Sequence, residues 1–429
     1  MSMVFIYMAM FLVFVALSIP VAFALGLSTA LIFAVTDQPL ALFAQRLWTG
    51  LDKFSLVAIP FFILAGELMS GSGILSRLMD MARLLVGRIR GGLLYINILV
   101  SMFFGGVNGS AVADTSAVGS LMIKATRDEY NDPEIAAAVT ACSSIVGPII
   151  PPSLPMLIYA FAASNVSIAG LFLAGIIPGV LLGLSMMIVT YYISRKKGYP
   201  KDTTNYGFLD GIRILRRFTI AAVLPVIMVV GIVGGIVTPT EAGCLGILYA
   251  LGIGFFVTRE LTRQAVYLAL KRTVIISTIV LVMISVANTS TWWLTIEGVP
   301  EMLSTFFLSI TSNSLVFLLL LLVFYVLIGM FVEQAAAMVM LVPVLAPLAT
   351  QYGIEPIHFG LFTCLALAFG LVTPPVGLCL FISSSIAGVP VQSVFRTSAP
   401  YLVAILAVIL IVTCIPSVFL WLPGLFELR

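Results

Sequence analysis

The chain has 429 residues, 61% of them hydrophobic and 9% charged, against roughly 25% charged in a soluble domain, so a water-soluble fold is excluded. The net charge of +3, from 21 basic and 18 acidic side chains, calls for neither a nucleic-acid partner nor an acidic tail. A crossing helix needs about 20 apolar residues for about 30 Å of hydrocarbon, so this length holds on the order of a dozen crossings or re-entrant segments. Long unbroken apolar runs such as Leu315 to Phe331 rule out a β-barrel, whose strands alternate apolar and polar residues. An all-α polytopic membrane protein is expected.

The first apolar run, Met3 to Val35, is too long for a signal peptide and lacks a small-residue cleavage site, so a retained membrane helix is expected. Gly73 to Gly91 sets Arg77, Arg83, Arg88 and Arg90 among apolar residues at helical spacing, which suits a helix lying on the bilayer surface. Leu40 to Lys53 and Leu261 to Arg272 look similar in kind. Basic residues gather at Arg195, Lys196, Lys197, Lys201, Arg213, Arg216 and Arg217, then again at Arg259, Arg263, Lys271 and Arg272. The positive-inside rule places both stretches in the cytoplasm. The runs between them, Phe218 to Thr238 and Pro239 to Thr258, then form an out-and-back pair.

A shift of 223 positions superimposes two segments without a gap: Pro133 on Pro356, Thr140 on Thr363, Gly147 on Gly370, Pro151 and Pro152 on Pro374 and Pro375, Leu157 on Leu380, Val166 on Val389, and Phe172 on Phe395. Prolines and a glycine in register identify an internal repeat. Each copy is an apolar run interrupted by GPIIPP (147–152) or GLVTPP (370–375). Paired prolines remove backbone donors and break the helix into two halves. Paired broken helices point to a transporter site near the bilayer midplane. The exit after the first copy is strongly basic and that after the second is not, which favours inverted repeats.

Before each broken helix lies a long run with a small or polar centre, read as a re-entrant hairpin. The first spans about Leu93 to Ile123 around GGVNGSAVADTSAVGS (105–120), the second about Leu315 to Leu348 around GMFVEQAAAMVMLVP (329–343). Unwound backbone at membrane depth must be buried in protein or line a wet cavity. Its carbonyls suit a hard cation such as sodium. One sodium site is expected from Asn108, Ser110, Gly147, Ile150 and Pro152, the other from Gly370, Thr373, Val376 and the Glu333 to Ala335 segment. Four carboxylates, Glu67, Asp114, Glu241 and Glu333, fall in apolar runs, where a charge is costly. Asp114 could order the hairpin tip, contact ion or substrate, or carry a proton, whereas Glu67 and Glu241 read as helix-contact residues.

Trp292 and Trp293 read as an aromatic belt at the membrane surface, and the lone His358 as a helix-end or interface residue. Cys142, Cys244, Cys364, Cys379 and Cys414 have no CxxC spacing and read as packing residues. No HExxH, Walker A or GxSxG sequence is present, so an enzyme is not expected, and no organic cofactor or transition metal.

In order, GSAVADTSAVG, GPIIPPS, VTPTEAG and TPPVG resemble the large membrane subunit, DctM type, of tripartite ATP-independent periplasmic (TRAP) transporters, over essentially the whole chain. The resemblance implies a sodium-driven secondary importer of an organic acid, of the sialic acid or C4-dicarboxylate class, in a bacterial inner membrane. It implies partners: a small four-helix membrane subunit from another polypeptide, a periplasmic substrate-binding protein, and lipid. It also implies an elevator mechanism, with a scaffold and a transport domain. The corresponding divisions are residues 1–90 (first scaffold and arm helices), 91–194 (hairpin, broken helix 134–165 and following helix), 195–217 (basic cytoplasmic loop), 218–312 (second scaffold and arm helices) and 313–429 (second hairpin, broken helix 357–388 and last helix). Ser110, Asp114 and Ser153 match positions where the family pattern places substrate contacts. No arginine lies within a crossing, so substrate charge is expected to be met by half-helix N-termini and bound sodium. The competing readings are a stand-alone sodium- or proton-coupled carboxylate transporter and, from other classes, an ion channel or an intramembrane enzyme.

Overall fold

The structure is a computed structural model and describes residues 2–163, 166–201 and 207–428, with the side chains of Ser2 and Val107 excepted. It contains helices and connecting turns but no strand among the described residues. In chain order the first ten helices are α1 (Ser2–Ala16), α2 (Val21–Val35), α3 (Leu40–Leu51), α4 (Ala58–Gly71), α5 (Ile74–Val86), α6 (Gly92–Asn108), α7 (Ala111–Tyr130), α8 (Pro133–Ser144), α9 (Leu154–Ala163) and α10 (Ile168–Lys197). The rest are α11 (Phe208–Val233), α12 (Pro239–Gly252), α13 (Arg263–Ile296), α14 (Val299–Ile310), α15 (Ser314–Gly329), α16 (Gln334–Gln351), α17 (Pro356–Gly370), α18 (Leu378–Ala387), α19 (Val391–Cys414) and α20 (Pro416–Leu425).

Both repeats carry the hairpin and the broken helix. The hairpins are α6–α7 and α15–α16, and the broken helices are α8–α9 and α17–α18. Residue 165, the expected end of the first broken helix, lies outside the described residues. At 1.5 Å per residue, the 12 residues of α8 and the 10 of α9 span about 18 and 15 Å, so the break falls near the middle of the hydrocarbon layer.

Two contacts establish the inversion. The carboxylate of Asp132, which caps α8, accepts hydrogen bonds from Lys197 Nζ and from Tyr199 Oη at 2.6 Å, so α8 enters from the basic face. At the far end Tyr159 Oη of α9 donates to the carbonyl of Pro356 at 2.8 Å. The second broken helix therefore enters from the face at which the first one leaves. The halves also cross over, since α18 packs on α7 and α8 whereas α9 packs on α16 and α17.

Lipid tails are as apolar as leucine, so helices associate in the bilayer through close packing of small residues. Helix α8 (PEIAAAVTACSS) follows this rule: its residues from Ile135 to Ser144 are all buried, and α6, α7, α18 and α19 pack around it. A second body is formed by α1–α5 and α11–α14, in which α4 and α13 are central. Two ion pairs join its segments at the basic end: Glu67 with Arg272 at 3.4 Å, and Arg77 of α5 with Glu260 at 3.0 Å. Glu241 closes a capping box with Thr238 at the start of α12.

Several expectations are corrected. Leu261 to Arg272 is not a separate surface helix, because Arg263 opens the 34-residue α13, which runs on to Ile296. The expected basic loop is shorter, because α11 begins at Phe208 and takes in Arg213, Arg216 and Arg217; residues 202–206 of that stretch lie outside the described residues. Trp293 is not in a surface belt. It is 1% exposed and packs on Tyr7 with ring centroids 5.2 Å apart, because helix pitch turns it inward while its neighbour Trp292 faces Phe33 and Arg46. His358 is buried, its Nε2 2.9 Å from the carbonyl of Val412, joining α17 to α19.

Candidate functional site

The first hairpin closes through Gly109, whose φ of +64° lies in the left-handed region where glycine carries no steric cost. Ser110 then caps α7, its hydroxyl accepting from Ala113 N at 3.4 Å. The tip lies directly on the first break. A Cβ placed on Gly105 would sit 2.3 Å from the Cα of Gly147, and one on Gly109 would sit 2.8 Å from the nitrogen of Leu154. Among the described residues, the carbonyls of Gly147, Ile150 and Pro152 accept no backbone hydrogen bond. The carbonyl of Pro148 is occupied by the Ser153 hydroxyl, which in turn accepts from Met156 N at 3.3 Å. Asn108 ends α6 half-buried, and its side chain makes no hydrogen bond among the described residues. The first expected cation set, Asn108, Ser110, Gly147, Ile150 and Pro152, is thus drawn into one place by tip and break.

The second repeat has the same arrangement with different side chains. Glu333 stands at the position of Ser110 plus 223 and performs the same task, its carboxylate accepting from Ala335 N at 2.8 Å and Ala336 N at 3.2 Å. A Cβ on Gly370 would lie 2.5 Å from the Cα of Gly329, and Gly377 N donates to the carbonyl of Met330 at 3.2 Å. The carbonyls of Thr373 and Val376 accept no backbone bond among the described residues, whereas that of Gly370 accepts from Thr373 N at 3.0 Å. The Thr373 hydroxyl donates to the carbonyl of Phe369 at 2.8 Å and keeps its lone pairs free. The two breaks differ in cover: the first is buried almost throughout, whereas Pro375 and Val376 of the second are exposed.

Asp114 occupies the first turn of α7, fully buried, and neither carboxylate oxygen has a hydrogen-bond partner among the described residues. The hydroxyls of Ser144 and Ser101 are its polar neighbours. Behind it runs a polar seam: Asn97 Nδ2 donates to Thr140 Oγ1 at 2.7 Å, and the hydroxyls of Ser101 and Ser143 lie 3.0 Å apart. Sequence reasoning missed this seam. Its signal was present, with Asn97 and Ser101 four apart on α6 and Thr140, Ser143 and Ser144 at the i, i+3 and i+4 positions of α8. A buried polar group ordinarily finds a partner, and a buried carboxylate without one needs a counter-charge or a proton. The site therefore offers oxygen ligands at two breaks and one buried carboxylate. It offers no nucleophile–base pair, and no cluster of histidine, cysteine and carboxylate able to hold a metal is found among the described residues.

Sequence reading left the substrate without an arginine; the structure brings Arg46 of α3 to a cavity between the two bodies. Inverted repeats of hairpin and broken helix, with unpaired backbone carbonyls at the breaks, define a secondary-transporter class of fold. The solved YdaH transporter of Alcanivorax borkumensis shares it, with a TM-score of 0.64 over 90% of each chain at 16% identity. The sequence pattern of the family described as "Tripartite ATP-independent periplasmic transporter, DctM component" matches residues 8–418, and the chain belongs to this family. It is 39% identical over 411 residues to the sialic acid TRAP transporter large permease protein SiaM of Vibrio cholerae, covering 95% of each chain. It is 34% identical over 402 residues to the C4-dicarboxylate TRAP transporter large permease protein DctM of Pseudomonas aeruginosa, covering 94% of each. The protein is the large permease of a TRAP-type secondary transporter, a multi-pass protein of the bacterial inner membrane, and not an enzyme.

Proposed function

We propose that this permease couples the uptake of an organic acid anion, of the sialic acid or C4-dicarboxylate class, to sodium, by movement of the hairpin and broken-helix body against the α1–α5 and α11–α14 scaffold. The observation that carries this reading is the repeated closure of a hairpin tip, glycine on glycine, over a break with unpaired carbonyls. Sodium takes several oxygen ligands, and unwound carbonyls with half-helix ends supply partial negative charge. Asn108, Ser110, Gly147, Ile150 and Pro152 would hold one ion, and Glu333, Gly370, Thr373 and Val376 the other.

The anion is then met at the tip by Ser110 and by the positive ends of α7 and α9. Ser153 contributes by shaping that end of α9, since its hydroxyl is already committed to the carbonyl of Pro148. Asp114 would repel a bare anion and therefore acts through a bound cation or proton. In this reading a periplasmic binding protein delivers the substrate and a small four-helix membrane subunit steadies the scaffold. Relatives named for sialic acid and for C4-dicarboxylates support the organic-acid class, and in this reading the choice between such acids falls to the binding protein.

The test is uptake of labelled N-acetylneuraminate and succinate into proteoliposomes, with and without a sodium gradient, with and without the two partner proteins. Steep sodium dependence that weakens in Asn108→Ala and in Thr373→Ala is expected. Unchanged sodium dependence in both variants would remove the assigned sites. Robust transport by this chain alone would replace the three-part scheme with a stand-alone transporter.

A further inference from the structure

A cavity of about 490 Å³ lies between the scaffold helices α3 and α13 and the transport-body helices α9 and α16. That is within the range of about 300–1,000 Å³ typical of small-molecule sites. Its two sides differ in chemistry. The transport side is apolar, from the end of α9 (Phe161 to Ala163) and from Val339, Pro343 and Pro347 of α16, while the scaffold side carries Arg46, Lys53, Asn288 and Thr295. The cavity lies toward the face opposite the basic loops, because it is lined by the last residues of α9 and of α13.

Arg46 is held in place without being neutralised, and Lys53 stands exposed on the same lining. The Arg46 guanidinium carbon sits 4.7 Å from the centroid of the Trp292 ring, a contact that orients the group and leaves its donors free. Among the described residues no carboxylate pairs with Arg46 or with Lys53. The backbone beneath Arg46 is pinned, because Asn288 Nδ2 donates to its carbonyl at 3.1 Å and Ser285 Oγ donates to that of Leu47 at 2.6 Å. Along α16, Val339 stands six residues from Glu333, about 9 Å of helix from the second hairpin tip.

We propose that this cavity is an anion-capture site on the scaffold, in which Arg46 and Lys53 receive the carboxylate of the incoming acid before it reaches the hairpin tips. The proposal rests on the organic-acid reading above and places a binding site where that reading had none. A fixed guanidinium, with a lysine on the same lining, opposite an apolar wall that moves in that reading favours an anion that is held by its charge and released as the wall moves. Like-signed clefts raise the local counter-ion concentration by about 10- to 1,000-fold. A phosphate headgroup offers the same chemistry as a carboxylate, so the test separates lipid from substrate.

Thr295→Cys places a thiol at the cavity, and its reaction with anionic and cationic methanethiosulfonate reagents is followed on the full chain in vesicles, with the parent protein as the blank for native cysteines. This readout needs no transported substrate, so it stands even if uptake of every tested acid fails. Preference for the anionic reagent by about tenfold or more over a free thiol is expected, lost in Arg46→Gln with Lys53→Gln. No preference, or one unchanged in the double variant, overturns the proposal. The rate should not depend on whether the vesicles contain phosphatidylglycerol; slowing by that lipid would assign the cavity to a headgroup and overturn it. For an acid that the complete transporter accumulates, Arg46→Gln should raise KM severalfold at unchanged kcat, and an unchanged KM also overturns it.

Discussion

Replacing Gly105 with alanine tests the closure of the hairpin on the break. In a helix with free space this change stabilises by up to about 1 kcal/mol, because glycine forfeits more backbone entropy than alanine on folding. At Gly105 the added carbon would lie 2.3 Å from the Cα of Gly147, whereas carbon atoms rest about 3.5–4.0 Å apart. The tip must therefore withdraw by more than an ångström, because the three nearest atoms all belong to the backbone of Gly147 and not to a flexible side chain. Overpacking of this kind costs about 1–3 kcal/mol, which outweighs the propensity gain. Applied to the cation site proposed beneath the tip, about 1–3 kcal/mol at 1.4 kcal/mol per tenfold raises the half-saturating sodium concentration by about 5- to 150-fold. Gly211→Ala is the control, since a Cβ there meets nothing within 4 Å, and it should stabilise slightly. Thermal unfolding in detergent with sodium or potassium chloride, together with sodium-dependent uptake, reads both variants. If Gly105→Ala were as stable as the parent and as sensitive to sodium, the tip could not be seated on the break as described.

Asp114→Asn removes the unpaired buried carboxylate while keeping its shape: thermal stability without sodium should rise, and the additional stabilisation by sodium should shrink. A ligand at about 100 times its Kd contributes about 2.7 kcal/mol, so the loss is readable by melting temperature; equal sodium shifts in parent and variant would refute action through a cation and leave the proton as what Asp114 carries. Tyr159→Phe removes the bond to the carbonyl of Pro356 and should cost about 1 kcal/mol in unfolding free energy, with sodium dependence untouched. At the basic face, burial pushes the Asp132 carboxyl up, but hydrogen bonds from Lys197, Tyr199 and Ile135 N outweigh it and hold the group below its ordinary range. Its folded pKa being the lower one, its stabilisation is full near neutrality and is lost only as pH falls below about 4. Comparing Asp132→Asn with the parent across pH should therefore show a difference that is constant above pH 5 and narrows below pH 4.

Helix interruption was legible because its cause is local. Proline lacks a donor wherever it stands, so GPIIPP and GLVTPP announce their breaks, and the repeat at 223 positions announces that there are two. Apolar length likewise declared the membrane, and the ordered motifs declared the family that the whole-chain comparison bears out. The caps at Ser110 and Asp132 could also be read in place, since a side chain reaching two or three residues along its own backbone needs no partner from elsewhere.

The remainder depends on which distant segments meet, and that is set by packing among helices that are nearly uniform in hydropathy. Nothing local tells Trp293 from Trp292, yet one is buried on Tyr7 and the other carries Arg46 on its face. The continuity of α13 through Arg263 to Ile296, the polar seam beside Asp114 and the cationic cavity arise only when residues far apart in sequence are brought together. The sequence by itself determined that the chain is embedded in the bilayer and where its two paired helices must break, because proline geometry and apolar length act over a few residues. Only the tertiary structure decided that each hairpin tip closes on its own break and that the repeats are inverted, because close backbone approach is a property of pairs of helices and not of either one.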